Sequence, residues 1–276
     1  MIARTVLVLV LAAMLGACAP GAALTGTSLG ETHTVDGHTV NVTLRGEGPS
    51  PTLLYIPGCS GLDSWGSAYQ RYHLGLFAQH WPGTNVVISQ FVNDITRGSV
   101  DGRCDWPGTD PRLARAQSWT QARHSMAIAR WIKDQPWSNG EVHALGFSWG
   151  GRVGLWLPAD RHGEAGVFRS IALVWPDCRS AERFNAGRLH TPVRIYAARE
   201  DPLSMPTNCP GFYEGDRGLL SSLLFPGAVH SWMTGASFRP YQRYWPHQQV
   251  WVYHAPMPEW TEQMMRDWRA WALANR

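Results

Sequence analysis

Residues 141–151 read EVHALGFSWGG. Glu141–Phe147 predicts a buried strand that runs straight into Ser148, and Gly150–Leu157 has the spacing of a helix. Gly146, Ser148 and Gly150 fall on the pattern G-x-S-x-G between a strand and a helix, the setting in which that pattern has mechanical meaning. A serine at so tight a turn takes strained torsions, and its oxygen is pushed out of the sheet. Glycines two residues before and two after let neighbouring backbone approach closely. The bland alternative is a glycine-rich turn whose serine is incidental.

On either side of this turn, short apolar runs alternate with helical spacing. Thr34–Leu44 alternates around Asp36-Gly37, a hairpin signal. Thr52–Ile56 is an apolar run ending at Pro57-Gly58, and Asn85–Val92 is another. Ala68–Trp81 has helical spacing. Asp110–Lys133 predicts a long helix, with Trp119, Ala122, Met126, Ala129 and Ile132 at steps of three and four and Asp110 as N-cap before Pro111. Ser170–Trp175, Val193–Ala198 and Leu219–Phe225 predict further strands, and Glu259–Ala274 a terminal amphipathic helix. Strands apolar on both faces, alternating with helices, imply an α/β fold with a mostly parallel sheet covered on both sides. No internal repeat, low-complexity tract or linker follows residue 30, so 31–276 reads as one domain.

The 276 residues carry 24 basic and 21 acidic side chains, a net charge of +3, with no run of like charge. That balance excludes a nucleic-acid footprint. Of the 15 tryptophans, Trp119, Trp131, Trp156 and Trp268 sit at helical spacings and read as core. Trp232, Phe238, Tyr241, Tyr244, Trp245, Trp251 and Tyr253 crowd one segment, 231–256, which reads either as a satellite core or as an aromatic overhang above a pocket.

Residues 1–17 read as an export signal: Arg4, an apolar run from Thr5 to Leu15 too short to span a bilayer, then small residues. Leu15-Gly16-Ala17-Cys18 resembles a bacterial lipobox, which implies that Cys18 is the lipidated first residue of the mature chain. Residues 18–30 would then be a tether. An ordinary signal peptide with an incidental Cys18 is the alternative. Ala19 is not the aspartate associated with inner-membrane retention, so the expected place is the cell envelope, in the periplasm at the outer membrane. Cys59, Cys104, Cys178 and Cys209 remain, an even number that suggests two disulfides in an exported chain, with three possible pairings. Buried free thiols are the alternative. His and Cys lack metal-ligand spacing, so neither a metal nor another cofactor is expected.

A serine needs a base to become a nucleophile. In a sheet of this kind the order along the chain is serine, acid, histidine. His230 follows the last strand candidate; His190, His247 and His254 also lie after Ser148. The acid should follow Val193–Ala198, where Asp201 stands beside Glu200; Asp177, after the preceding strand, is a third candidate. An oxyanion needs preorganised donors. The N–H of Trp149 is one, and the loop Pro57-Gly58-Cys59-Ser60-Gly61 should give the other, from Cys59 or else Ser60.

Pro57–Gly61, Arg97-Gly98 with Cys104, Gly146–Gly151, Trp175–Cys178, Asp201 to Cys209 and Pro226–His230 together resemble the dienelactone hydrolase family of α/β-hydrolases, across about residues 52–232. The resemblance implies the α/β-hydrolase fold and a triad of Ser148, Asp201 and His230, and it favours Asp201 because the family's acid lies a few residues before a proline, here Pro206. Two departures stand out. Dienelactone hydrolase itself uses a cysteine nucleophile where this chain has Ser148, which favours general ester hydrolysis, and Pro57 replaces the usual histidine of the oxyanion loop. Sequence order pairs Cys59 with Cys104 and Cys178 with Cys209. The expected activity is acyl-enzyme hydrolysis of a small-molecule ester by an envelope protein. The alternatives are an amide or peptide hydrolase of the same fold, and a non-catalytic ligand-binding lipoprotein.

Overall fold

The computed structural model describes residues 29–58, 64–90, 111–159, 166–178, 185–202, 206–215, 218–235, 238–245 and 250–275. Among these, β1 (Glu31–Val35) and β2 (His38–Thr43) form the hairpin expected at Asp36-Gly37. Both turn residues have positive φ, 49° and 78°, the geometry that lets a two-residue turn follow the twist of its strands. Then come β3 (Ser50–Ile56), α1 (Ser64–His80), β4 (Asn85–Ser89), α2 (Pro111–Lys133), β5 (Ser138–Phe147), α3 (Trp149–Gly154), β6 (Ser170–Val174), β7 (Val193–Ala198) and β8 (Leu220–Phe225). They are followed by β9 (Tyr241–Trp245), β10 (Val250–His254) and α4 (Pro258–Ala274).

Eight strands form one sheet in the order β1-β2-β4-β3-β5-β6-β7-β8. From β4 to β8 every pairing is parallel, and the hairpin joins antiparallel through β2 and β4. The side-chain period of two divides each central strand between two cores. In β3, Leu54 and Ile56 face a core completed by Met126, Ala129 and Ile132 of α2 and Val153 of α3. Leu53 and Tyr55 face the other core, closed by Leu74 and Phe77 of α1 and by Met264, Met265 and Trp268 of α4. Helix α4 is also pinned to β7: Asp267 accepts two guanidinium N–H groups of Arg194 and the hydroxyl of Tyr196, at 2.7–3.1 Å.

The expected elements recur with boundaries moved by a few residues. Trp156 and Trp268 are buried as expected, while Trp119 and Trp131 are half-buried against the first core. Within the segment 231–256, the described residues include the two-stranded ribbon β9–β10. The N-cap Asp110 and residues 90–92 of the second early strand differ in status. Gln90 follows β4 directly, whereas Asp110 and Val92 lie outside the described residues, as do the export signal and Cys18.

Candidate active site

The nucleophile candidate lies where the sheet ends. Ser148 follows β5 with φ 51° and ψ −110°, a backbone that L-residues seldom hold. Its N–H donates to Val174 O at 3.0 Å, which ties the turn to the end of β6. The flanking glycines are required by space. A Cβ on Gly146 would run into the carbonyl of Gly150, and a Cβ on Gly150 would run into the carbonyls of Ile56 and Pro57 at the end of β3. After Ser148 the chain enters α3, and the Trp149 indole donates to Gln121 Oε1 of α2 at 2.8 Å.

His230 reaches this serine from the loop after β8. Its Nδ1 lies 2.7 Å from Asp201 Oδ2, and its Nε2 lies 3.4 Å from Ser148 Oγ. A carboxylate only accepts, so Nδ1 carries the proton and Nε2 presents a lone pair to the serine hydroxyl. The long serine contact is common before substrate tightens such a site. Asp201 and His230 are buried, whereas Ser148 stays half-exposed where a substrate could meet it. The two loops are stitched together by Glu200 N–H donating to Ala228 O at 3.2 Å.

This arrangement separates the three acid candidates. Asp201 holds the imidazole. Glu200, its neighbour, is exposed. Asp177 is engaged with Arg152 of α3: Arg152 Nη1 donates to the Asp177 carbonyl at 3.1 Å and lies 3.7 Å from its carboxylate. The same loop carries Cys178, disulfide-bonded to Cys209 with a Cα–Cα distance of 4.9 Å, so that pair forms as sequence order gives it. Cys59, Ser60 and Cys104, and with them the second oxyanion donor and the other disulfide, lie outside the described residues.

Three further groups frame the site. His73 of α1 is fully buried. Tyr55 donates its hydroxyl to His73 Nδ1 at 2.9 Å, since burial pushes the Tyr55 phenol far above its ordinary value and keeps it protonated. His73 Nε2–H then donates to Met233 O at 2.9 Å, three residues beyond His230. Burial lowers the His73 pKa to about 4, opposed in part by the Met233 bond. Ser231 follows His230 with φ 60° and is hydrogen-bonded to Tyr69 of α1 and to His254 Nδ1, the latter at 3.1 Å. Finally, Trp175 takes φ 38° and packs on His230 at 5.7 Å between centroids. His254 entered the sequence analysis only as a rival base. Tyr55 and His73 gave no pattern, because their partner Met233 is remote along the chain.

Comparison with solved structures places the architecture. A Klebsiella pneumoniae protein assigned as a dienelactone hydrolase matches with a TM-score of 0.57 at 14% identity, covering 88% of this chain and 97% of that one. A bacterial brefeldin A esterase, described as a homologue of human hormone-sensitive lipase, matches with a TM-score of 0.58 at 17% identity, covering 89% of this chain and 76% of that one.

The chain has the α/β-hydrolase fold.

A thermostable carboxylesterase cloned from a metagenomic library has the same α/β-hydrolase architecture, with a TM-score of 0.57 at 14% identity over 89% of this chain and 87% of that one. At the level of sequence, residues 92–197 match the family model of X-Pro dipeptidyl-peptidase (S15 family). That stretch includes the Ser148 turn and stops before Asp201 and His230. No curated protein sequence matches the chain.

Proposed function

We propose that this α/β-hydrolase is an exported, lipid-anchored serine hydrolase that cleaves carboxylic esters through an acyl-enzyme. The observation that carries the reading is His230, held by Asp201 on one ring nitrogen and facing Ser148 with the other. His230 Nε2 takes the proton as Ser148 Oγ attacks the ester carbonyl. Asp201 fixes the tautomer and stabilises the imidazolium that results. The N–H of Trp149 donates to the tetrahedral oxyanion, with the Cys59 N–H as second donor. The imidazolium gives its proton to the departing alkoxide; the neutral imidazole then takes a proton from water as that water attacks the acyl carbon, and returns it to Ser148 Oγ as the acid leaves. The Cys178–Cys209 bond supports export, because structural disulfides persist in oxidising compartments. Cys18 in its lipobox-like setting supports the anchor.

A fluorophosphonate probe should label Ser148 in the folded protein, and short acyl esters should turn over. Absence of label, with Ser148→Ala equal to the parent on every ester tested, overturns the reading. The match of residues 92–197 to a peptidase family favours a second reading, amide hydrolysis. Matched p-nitrophenyl esters and p-nitroanilides separate the two, since the triad alone serves either leaving group.

A further inference from the structure

The ribbon β9–β10 has two unlike faces. Its register sets Tyr241 opposite His254, Arg243 opposite Val252, Gln242 opposite Tyr253 and Tyr244 opposite Trp251. Opposed residues share a face. Val252 and His254 are buried and turn inward. Tyr244, Trp251 and Tyr253 turn outward: Trp251 is 65% exposed and the two tyrosines 42% each. The Tyr244 and Trp251 rings pair at 5.4 Å, so the outward aromatics form a patch rather than scattered residues.

The inward face ends on the catalytic base. His254 pairs with His230 through a parallel bridge, and the two rings meet edge to face at 5.4 Å. The patch therefore belongs to the rim of the active site. The sequence around it is basic. Arg239 stands exposed just before β9, and no Asp or Glu occurs from Phe238 to Pro258.

We propose that the outward face of this ribbon docks the catalytic rim on an anionic bilayer, and that the esters hydrolysed are drawn from that bilayer. Tyrosine and tryptophan place apolar rings and a polar atom at the level of lipid headgroups, and a basic segment free of acids complements anionic headgroups. The proposal rests on the lipid-anchored ester hydrolase reading. Under that reading the stretch from Cys18 to Leu29 reaches at most roughly 40 Å, so the domain never leaves the membrane surface.

The test uses the full chain and two substrates: water-soluble p-nitrophenyl acetate, and a long-chain fluorogenic ester carried in phosphatidylglycerol vesicles. The triple variant Y244S/W251S/Y253S should keep the soluble rate within about twofold and lose at least tenfold on the vesicle substrate. In parallel, phosphatidylglycerol vesicles with brominated acyl chains should quench part of the tryptophan fluorescence, and the conservative W251F should remove that part. Equal losses on both substrates, or quenching unchanged in W251F, overturn the proposal, as does binding of the ribbon to soluble polysaccharide with no response to vesicles. If Ser148 takes no fluorophosphonate label while Trp251 is still quenched, the hydrolase reading fails and the docking surface stands.

Discussion

The imidazole of His73 stacks on the ring of Phe147, the residue before Ser148, with centroids 4.5 Å apart and planes 13° from parallel. The same imidazole is bonded to the chain just past His230. One neutral, buried side chain therefore touches the approaches to both Ser148 and His230. Its pKa in the fold is about 4, below the ordinary 6.5, so the unfolded chain binds the proton first. Stability from this group is fully present above pH 6.5 and falls as the pH drops toward 4. The total loss is about 3 kcal/mol, the shift taken at its linkage value. Glutamine can accept from Tyr55 and donate to Met233 without titrating. Denaturant midpoints between pH 7 and 4 should fall less for His73→Gln than for the parent.

Asp201 and Asp177 should separate cleanly on substitution. Asp201→Asn leaves the imidazole without its carboxylate and should lower kcat by up to about ten-thousand-fold with little change in stability. Asp177→Ala leaves the Arg152 guanidinium buried without that carboxylate and should cost about 3 kcal/mol of stability. Thermal melts and kcat on one ester, measured for both variants, check the contrast. An Asp177 variant that folds normally but loses turnover would reassign the acid.

Reduction of Cys178–Cys209 releases a loop with a sequence separation of 31. The chain-entropy relation puts the loss near 3–4 kcal/mol. Cys178→Ala/Cys209→Ala should unfold at correspondingly lower denaturant. At temperatures where it stays folded it should still take a fluorophosphonate label at Ser148, because the Asp201–His230 and His230–Ser148 contacts run through neither cysteine.

Gly150→Ala should be among the most damaging single-methyl additions at the described glycines. The added carbon would meet the Ile56 and Pro57 carbonyls, and neither can retreat without moving the end of β3. Soluble yield and probe labelling should both fall sharply, while Gly83→Ala, with open space at that carbon but φ 72°, should cost only about 1 kcal/mol of backbone strain.

Much of the sheet is legible from local pattern. Runs such as Ile171–Val174 are apolar on both faces because helices cover both faces, and that leaves a mark within four residues. The Ser148 turn is legible because its glycines are dictated by contacts with backbone. The order of serine, acid and histidine narrows the remaining choices, but only the bond to His230 and the commitment of Asp177 to Arg152 separate Asp201 from its rivals. The ribbon β9–β10 is hard to read because its strands carry aromatics on both faces, so polarity does not alternate. Tyr55–His73–Met233 leaves no trace at all in the sequence, since its partners are brought together by α1 and the loop after β8.

Among the described residues, the non-glycine positions with positive φ are Asp36 in the hairpin turn and Ser148, Trp175 and Ser231. The last three surround the imidazole of His230. Each holds of order 1–2 kcal/mol of conformational energy that a freer backbone choice would release. Selection for heat resistance alone would find that reserve. Glycine at 231 would relax the chain, but it would also delete the hydroxyl that joins Tyr69 to His254. Thermostable descendants of this protein, obtained without an activity screen, should therefore drift first around His230 and, if the proposed hydrolysis holds, grow sturdier as they slow.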